Sequence, residues 1–469
     1  MKENLPPCFT FSQPGFLEFF SEYGENAMKS LGSSMISSVA TEDNWLLVVR
    51  TRCPMEQVLA GAAKGCSRVI AEVASAKAKE SRPQLEAVVL IPKMEHGGGC
   101  VLDTLKDDRA VKQRHFCEMY EGFGDLCDCS KPFIPWKHEN PNKLNMTEHI
   151  PVVIVTADKP HHLGRILRNL ALVSGSSETQ VLVAVDGPLD AAVALAELYG
   201  ARVRVHRPQG EPRDNTRTNA NVGFALWSVF DEFPSADKAI LLEDDLLLSP
   251  DLLHYFHQLA WLLDADDSVF LVQAFGQHSF PFTACDPARV LRVDSYPQYG
   301  WMMSRRTALA EALQAWVPEG PGVDWDWWLN GEGHRKGRQL LAPEVSRTMH
   351  GGSAGAHVTG WEQHQYFDSR VFSTSPYTTL RNTHGLAADA YEAWYDDQIR
   401  HATRLDVRGS PCRSFLLPSR NVSGPFVVFV GVESRSDERA ALRIFQLCLG
   451  TDEQEAKEMY KVGRRGHGG

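Results

Sequence analysis

From Pro151 onward, short all-apolar runs alternate with stretches of helical spacing, and no other feature constrains the fold of this chain as strongly. VVIVT at 152–156, VLVAV at 181–185 and AILLE at 239–243 have the composition of buried strands, and ARVRVH at 201–206 alternates. Between them, His162 to Leu172, Ala191 to Tyr199 and Asn219 to Phe230 carry apolar residues at helical intervals. Strands apolar on both sides are covered on both faces. Strands alternating with helices predict an α/β fold with a mainly parallel sheet. Ligands in such folds gather beyond the carboxyl ends of the strands. The residues at those ends are Asp158, Asp186 and the run Glu243, Asp244 and Asp245.

ILLEDDLLLSPDLLHYF is the sharpest local signal. An apolar strand runs into adjacent carboxylates that repel one another, an arrangement relieved by a bound cation. Mg²⁺ or Mn²⁺ suits hard oxygen ligands and takes its remaining ligands from water and substrate phosphates. A solvated acidic turn is the plainer alternative, but its place after a buried strand favours the metal. Ser249-Pro250-Asp251 then reads as a helix start, with Ser249 as cap and Asp251 in the first turn.

GVDWDWWLNGEGHRKGR, 322–338, is dense in Trp and Asp. Pyranose rings present C–H faces that aromatic rings cover, and a carboxylate among them can take a hydroxyl proton. The competing reading is a Trp-rich core patch with surface Asp. PEVSRTMHGGSAGAH, 343–357, has little helical or strand period; its composition suits a loop that closes on substrate, or an ordinary Gly-rich turn. His254 and His257 lie on a helix and read as exposed or satisfied. There is no Ser-His-Asp elbow, P-loop or dinucleotide fingerprint.

The chain has 469 residues, 43% hydrophobic and 23% charged, so it can build a large core. Its formal net charge of -11 argues against nucleic acid as a partner. No apolar run approaches the roughly 18 residues that span a membrane, and Met1 to Phe20 does not have the pattern of a signal peptide. Cys117, Cys127 and Cys129 cluster without a second Cys pair or His pair at zinc spacing, which favours disulfides and a lumenal chain. Sequons at Asn145 and Asn421 are compatible with that. The expected organisation is a partial α/β stem over 1–105, a Cys-rich linker over 106–147, a catalytic domain over 148–452 and a frayed tail over 453–469. Within the stem, a helix over Gly15–Leu31 and strands at Trp45–Val49 and Glu86–Ile91 are expected.

Taken in order, the EDD after a strand, the Trp–Asp segment, RKGR at 335–338, PEVSRTMH and QYF at 365–367 resemble the β-1,2-N-acetylglucosaminyltransferases. The Cys-rich linker RHFCEMYEGFGDLCDC, and AMKSLGSSMISSVATEDNWLLVV at 27–49, are similar to the linker and carbohydrate-binding stem of the branch that acts on protein O-linked mannose. The resemblance implies a GT-A nucleotide-diphospho-sugar transferase fold, Mn²⁺ as cofactor, UDP-GlcNAc as donor, a mannose-bearing glycoprotein as acceptor and inversion at the anomeric carbon. It implies Asp245 as metal ligand, Glu243 and Asp244 at the nucleotide, Asp186 at the uracil and Asp326 as catalytic base. Lys159, Asn221 and Trp325 would also contact substrate. It further implies a Golgi lumenal protein whose N-terminal membrane anchor is absent from this sequence.

The chain departs from the family pattern at several points. Lys159 stands where the family usually has Arg, keeping the charge without the planar fork. Asn221 replaces a family His. Ala274-Phe275-Gly276-Gln277 stands for Ala-Trp-Asn-Asp, and Pro297-Gln298-Tyr299-Gly300-Trp301 for Pro-Gly-Leu-Gly-Trp. The rival readings are a weak paralogue that only binds glycans and a carboxylate-pair hydrolase. Retention of Asp245 and Asp326 disfavours the first, and no partner acid for Asp326 supports the second.

Overall fold

The computed structural model describes residues 44–51, 68–75, 100–135, 146–211, 214–277, 279–281, 284–294, 297–317, 323–351, 363, 367–404 and 424–427. The chain divides into two compact units, Met1–Gly97 and Gly98–Gly469. In the first, β1 (Asn44–Thr51) pairs antiparallel with β2 (Arg68–Ser75). β1 contains the strand expected at Trp45–Val49. The helix expected at Gly15–Leu31, the strand expected at Glu86–Ile91, both sequons and the tail lie outside the described residues.

The second unit is built on a mixed sheet. β3 (Val152–Thr156), β4 (Val181–Asp186), β5 (Arg202–His206) and β6 (Lys238–Glu243) are parallel. β8 (Val269–Gln273), β9 (Val290–Val293), β10 (Trp301–Ser304) and β11 (Gln339–Pro343) complete the order β5-β4-β3-β6-β10-β8-β11-β9. β10 runs antiparallel to both β6 and β8, so the sheet is parallel on one side and mixed on the other. The order turns at β3, with β4 on one flank and β6 on the other, the kind of switch point where α/β folds leave a crevice.

The apolar run of β3 explains itself through its pleat, since successive side chains of a strand point to opposite faces. Val152 and Ile154 pack with Leu163, Ile166, Leu167 and Leu170 on one face. Val153 and Val155 pack with Val222, Ala225, Leu226, Val229 and Phe230 on the other.

The Cys-rich segment is more than a linker. Its first part forms helix α1 (Asp108–Met119), capped by Asp107, and its Phe116 joins the first core face together with Leu126. Buried Gln113 donates from Nε2 to the carbonyls of Leu126 and Phe133, closing the turn onto the helix. Cys117–Cys127 and Cys100–Cys129 are disulfides, so the three clustered cysteines are bonded as expected, and the second bond recruits Cys100 from before the segment.

The remaining helices lie where the spacing placed them: α2 (Pro160–Ala171), α3 (Asp190–Leu198) and α4 (Asn215–Glu232), the last capped by Asp214. α5 (Leu252–Leu259) starts later than expected. Asp251 is its cap residue rather than part of its first turn, and its carboxylate is taken by Arg347 at 3.1 Å, both groups fully buried. His254, read from sequence as exposed or satisfied, is 2% exposed and lies against the Tyr377 ring. Among the described residues, no helix is long and apolar enough to cross a membrane.

Candidate active site

The site forms where β6 ends. The chain turns at Asp244–Asp245 into β7 (Leu246–Leu248), which pairs antiparallel with β12 (Thr348–His350) in the register His350↔Leu246. That register sets His350 beside Asp245. The ladder is extended by Gly351 N–H donating to the Asp245 carbonyl at 2.9 Å. Arg165, on α2, clamps the junction, donating to Asp245 O at 3.0 Å and Gly351 O at 2.8 Å. A Cβ at Gly351 would lie 3.2 Å from both that carbonyl and the Arg165 guanidinium, so the close approach uses its missing side chain. The segment 343–357 has the composition of a loop, but Pro343 ends β11 and Thr348–His350 form β12. Both elements owe their strand form to partner strands, β9 and β7, and are too short to show a period. The part after Gly351 lies outside the described residues.

The acidic run divides its labour by environment. Asp244 Oδ2 accepts from Thr156 Oγ1 at 2.6 Å. Burial pushes its carboxyl up to about 7, the charge of Asp245 adding to the rise. Burial also raises Glu243, with the charges of Asp245 and Asp326 next in size. Asp245 goes the other way: burial opposes its ionisation, but the His350 hydrogen bond and the positive groups around it outweigh burial and hold it below the ordinary range. His350 Nε2 is 3.1 Å from Asp245 Oδ2. His350 Nδ1 is 2.7 Å from Gln363 Oε1, and Gln363 Nε2 is engaged with His350 O and Asp368. That leaves Oε1 as acceptor and makes both His350 ring nitrogens donors. Burial disfavours that charged ring, yet Asp245 raises its pKa overall.

Asp245 Oδ1 is buried and has no hydrogen-bond partner among the described residues. An ionised carboxylate oxygen in that condition is costly unless a cation meets it. No group of three or more His, Cys, Asp and Glu among the described residues is arranged to hold an ion alone. That buried oxygen fits a divalent cation held by one or two carboxylates and otherwise by a phosphate-bearing ligand and water.

The other expected residues fall as follows. Asn221 is buried on α4 and donates to Thr156 O at 3.1 Å, next to the Asp244 bond, with its Oδ1 unmatched among the described residues. Lys159 sits at the start of α2, and its charge acts on Asp244. Asp186 ends β4, but both its oxygens are engaged, one by His206 Nδ1 at 2.9 Å and the other by Arg217. Asp326 is on the short helix α6 (Trp325–Leu329) and is near enough for its charge to raise Glu243. Burial pushes Asp326 itself up to about 7, against the pull of the Trp327 N–H that it accepts at 2.8 Å. Its level suits a group that must accept a proton near neutral pH.

Trp325 was expected at the substrate. It is 5% exposed, lies 5.8 Å from the Trp301 ring centre and belongs to the second core face. RKGR is likewise structural: Arg335 binds Asp294, while Lys336 and Arg338 bind Glu311.

Sequence reasoning passed over Thr156, Arg165, Asn219, His350 and Gln363. Asn219 is the most consequential. Buried on α4, it accepts the Trp325 N–H at Oδ1 and donates to Val323 O, so it sets where α6 begins and with it Asp326. Its signal was a polar residue on the apolar face of a helix. Among the departures from the family pattern, Gly276 has a structural reason. A Cβ there would lie 2.3 Å from the Pro343 carbonyl oxygen, so the family's Asn cannot occupy this backbone.

Residues 137–408 match the GNT-I family model, and the chain belongs to that family. An alpha-1,3-mannosyl-glycoprotein 2-beta-N-acetylglucosaminyltransferase of Arabidopsis thaliana is 34% identical over 121 residues, covering 26% of this chain and 26% of that relative. The chain thus matches about a quarter of that relative's length. Solved structures with some likeness include glucosyl-3-phosphoglycerate synthase of Mycobacterium tuberculosis, crystallised with Mn²⁺ and UDP, at 14% identity over 45% of this chain and 73% of that one, with a TM-score of 0.28. TarS of S. aureus is at 13% identity over 42% and 59%, with a TM-score of 0.30. The fold assignment rests on the sheet itself. A mixed α/β sheet with an acidic triplet at a strand end, in a member of this family, is the GT-A architecture expected from the sequence.

Proposed function

We propose that the protein is an inverting glycosyltransferase of the Golgi lumen that moves N-acetylglucosamine from UDP-GlcNAc, in β-1,2 linkage, onto a mannose of a glycoprotein glycan, the mannose being O-linked to protein. The observation that carries the reading is the buried Oδ1 of Asp245 at the end of β6, without a hydrogen-bond partner among the described residues, with Asp326 near enough for its charge to act on Glu243. Asp245 would hold Mn²⁺. When bound, that ion supplies positive charge against the diphosphate leaving group.

The chain's own residues supply the rest. Arg165 and the β7–β12 ladder fix the Asp245 backbone, and His350 orients its carboxylate. Asp244, tied to Thr156, lines the nucleotide side with Lys159 and Asn221. Asp326 takes the proton from the attacking mannose hydroxyl at a carboxylate oxygen, so the hydroxyl attacks from the face opposite UDP. Family membership and the activity named for the Arabidopsis relative support the sugar and the acceptor class. O-linked mannose is supported by the resemblance of RHFCEMYEGFGDLCDC and of residues 27–49 to the linker and stem of that branch.

The test is a donor and acceptor screen with purified protein, with and without Mn²⁺. Transfer from UDP-GlcNAc to an O-mannosyl peptide, lost on chelation, is the expected result. Preference for an N-glycan mannoside would overturn the acceptor, and no transfer from any UDP-sugar would overturn the enzyme.

A further inference from the structure

We infer that Asn219 is a positioning residue for the proposed base, and that α4 holds Asp326 at a set distance from the acidic run; the inference rests on the transferase reading above. α6, which carries Asp326, has only five residues, and the Asp324 side chain at its start makes no capping bond. A helix that short is marginal by itself, and its first N–H groups have no partner within it. Trp325 and Leu329 hold its body in the core, but hydrophobic contact is non-directional and does not fix the residue at which the helix starts.

The cap comes from α4 instead. Asn219, 3% exposed, accepts the Trp325 N–H at Oδ1 at 2.9 Å and donates from Nδ2 to Val323 O at 2.7 Å. Its own carbonyl accepts the Trp316 indole N–H at 2.8 Å, so the chain meets Asn219 on both sides of 317–322, just ahead of Asp326. Gly223, one turn further along α4, makes room for that indole, since a Cβ there would lie 2.6 Å from Trp316 Nε1. Asn221 donates to Thr156 O at 3.1 Å, and the Thr156 hydroxyl donates to Asp244. Residues two apart on a helix differ by about 200° around the axis and about 3 Å along it, so the two amides leave α4 on opposite sides. One side is tied to the acidic run and the other to the start of α6. α4 is thereby a spacer between the carboxylates proposed for the donor and the carboxylate proposed for the acceptor hydroxyl, a separation on which proton transfer in the reacting complex depends.

Asn219→Ala removes both side-chain bonds. Turnover should fall by about 10²-fold, the scale of a reacting group displaced by about 1 Å, while Mn²⁺-dependent UDP affinity in calorimetry is unchanged. The decisive measurement is a double-mutant cycle. In an Asp326→Asn background, Asn219→Ala should cost almost no further turnover, because a residue that acts through the base has nothing left to position. The inflection of kcat/KM in Asn219→Ala should also move away from about 7, since the burial that raises Asp326 changes with its place. Asn219→Asp keeps an acceptor for the Trp325 N–H and should retain more turnover than Asn219→Ala; it takes the place of the alanine variant in the cycle if that variant does not fold. If the parent transfers sugar and Asn219→Ala keeps parent turnover, or its loss is as large in the Asp326→Asn background, Asn219 is structural only and the inference is wrong while the transferase stands. If the parent transfers nothing, the functional reading has failed and this inference goes with it.

Discussion

His350 Nε2 lies 3.1 Å from Asp245 Oδ2, while the other oxygen of the same carboxylate, Oδ1, is buried with no hydrogen-bond partner among the described residues. One oxygen is thus fixed in place and the other is left available. A carboxylate so held keeps its charge and its direction before any ligand arrives, which is what a cation site with few protein ligands requires.

Asp245→Ala should therefore remove Mn²⁺-dependent UDP binding while the protein stays folded. Calorimetry of UDP with and without Mn²⁺ measures this. Parent-like, metal-dependent affinity in the variant would place the cation elsewhere.

Asp326→Asn should lower turnover by about 10²–10⁴-fold with donor affinity retained, because the amide cannot accept the hydroxyl proton. Asp324→Asn, at the cap of α6, should cost less. In the parent, kcat/KM should rise with pH through about 7, as Asp326 ionises. Stability should show the opposite sign. A carboxyl raised from 3.8 to about 7 favours the folded state at low pH and loses that contribution as pH climbs to about 7. Asp326→Asn should melt higher than the parent above that pH, with the gap closing near pH 4. A parent profile flat between pH 5 and 8 would remove Asp326 as the base.

Arg347 and Asp251 are 0% and 1% exposed and bonded at 3.1 and 3.3 Å, with Arg347 also donating to Val345 O and Pro287 O. Removing one partner leaves a buried charge. Asp251→Asn and Arg347→Met should each destabilise by about 3–5 kcal/mol in denaturant unfolding. Losses below about 1 kcal/mol would mean that water reaches this pair.

Cys117→Ser should cost about 2–4 kcal/mol, since it frees the loop that seats Phe116 and Leu126 in the core. Mass spectrometry of unreduced peptides should recover Cys117–Cys127 and Cys100–Cys129. A different pairing would be inconsistent with this fold of the segment.

The sequence by itself determined the alternation of strands and helices, the acidic run at the end of β6 and the bonded state of the clustered cysteines. Those properties are local: a doubly covered strand must be apolar throughout, and a carboxylate triplet at its end advertises its own electrostatic cost. It also carried the family order of motifs. Only the tertiary structure decided which indole is buried. Trp325 and Trp327 flank the same Asp326 with similar local sequence, and the difference comes from Trp301, on a strand distant in the chain, which covers one and not the other. The neighbours of Asp245 are of the same kind. Arg165 is 80 positions from it, and His350 reaches it through a strand pairing whose three residues are too few to show a period. Contacts between segments far apart in sequence are set by sheet order and register, which no window of residues contains.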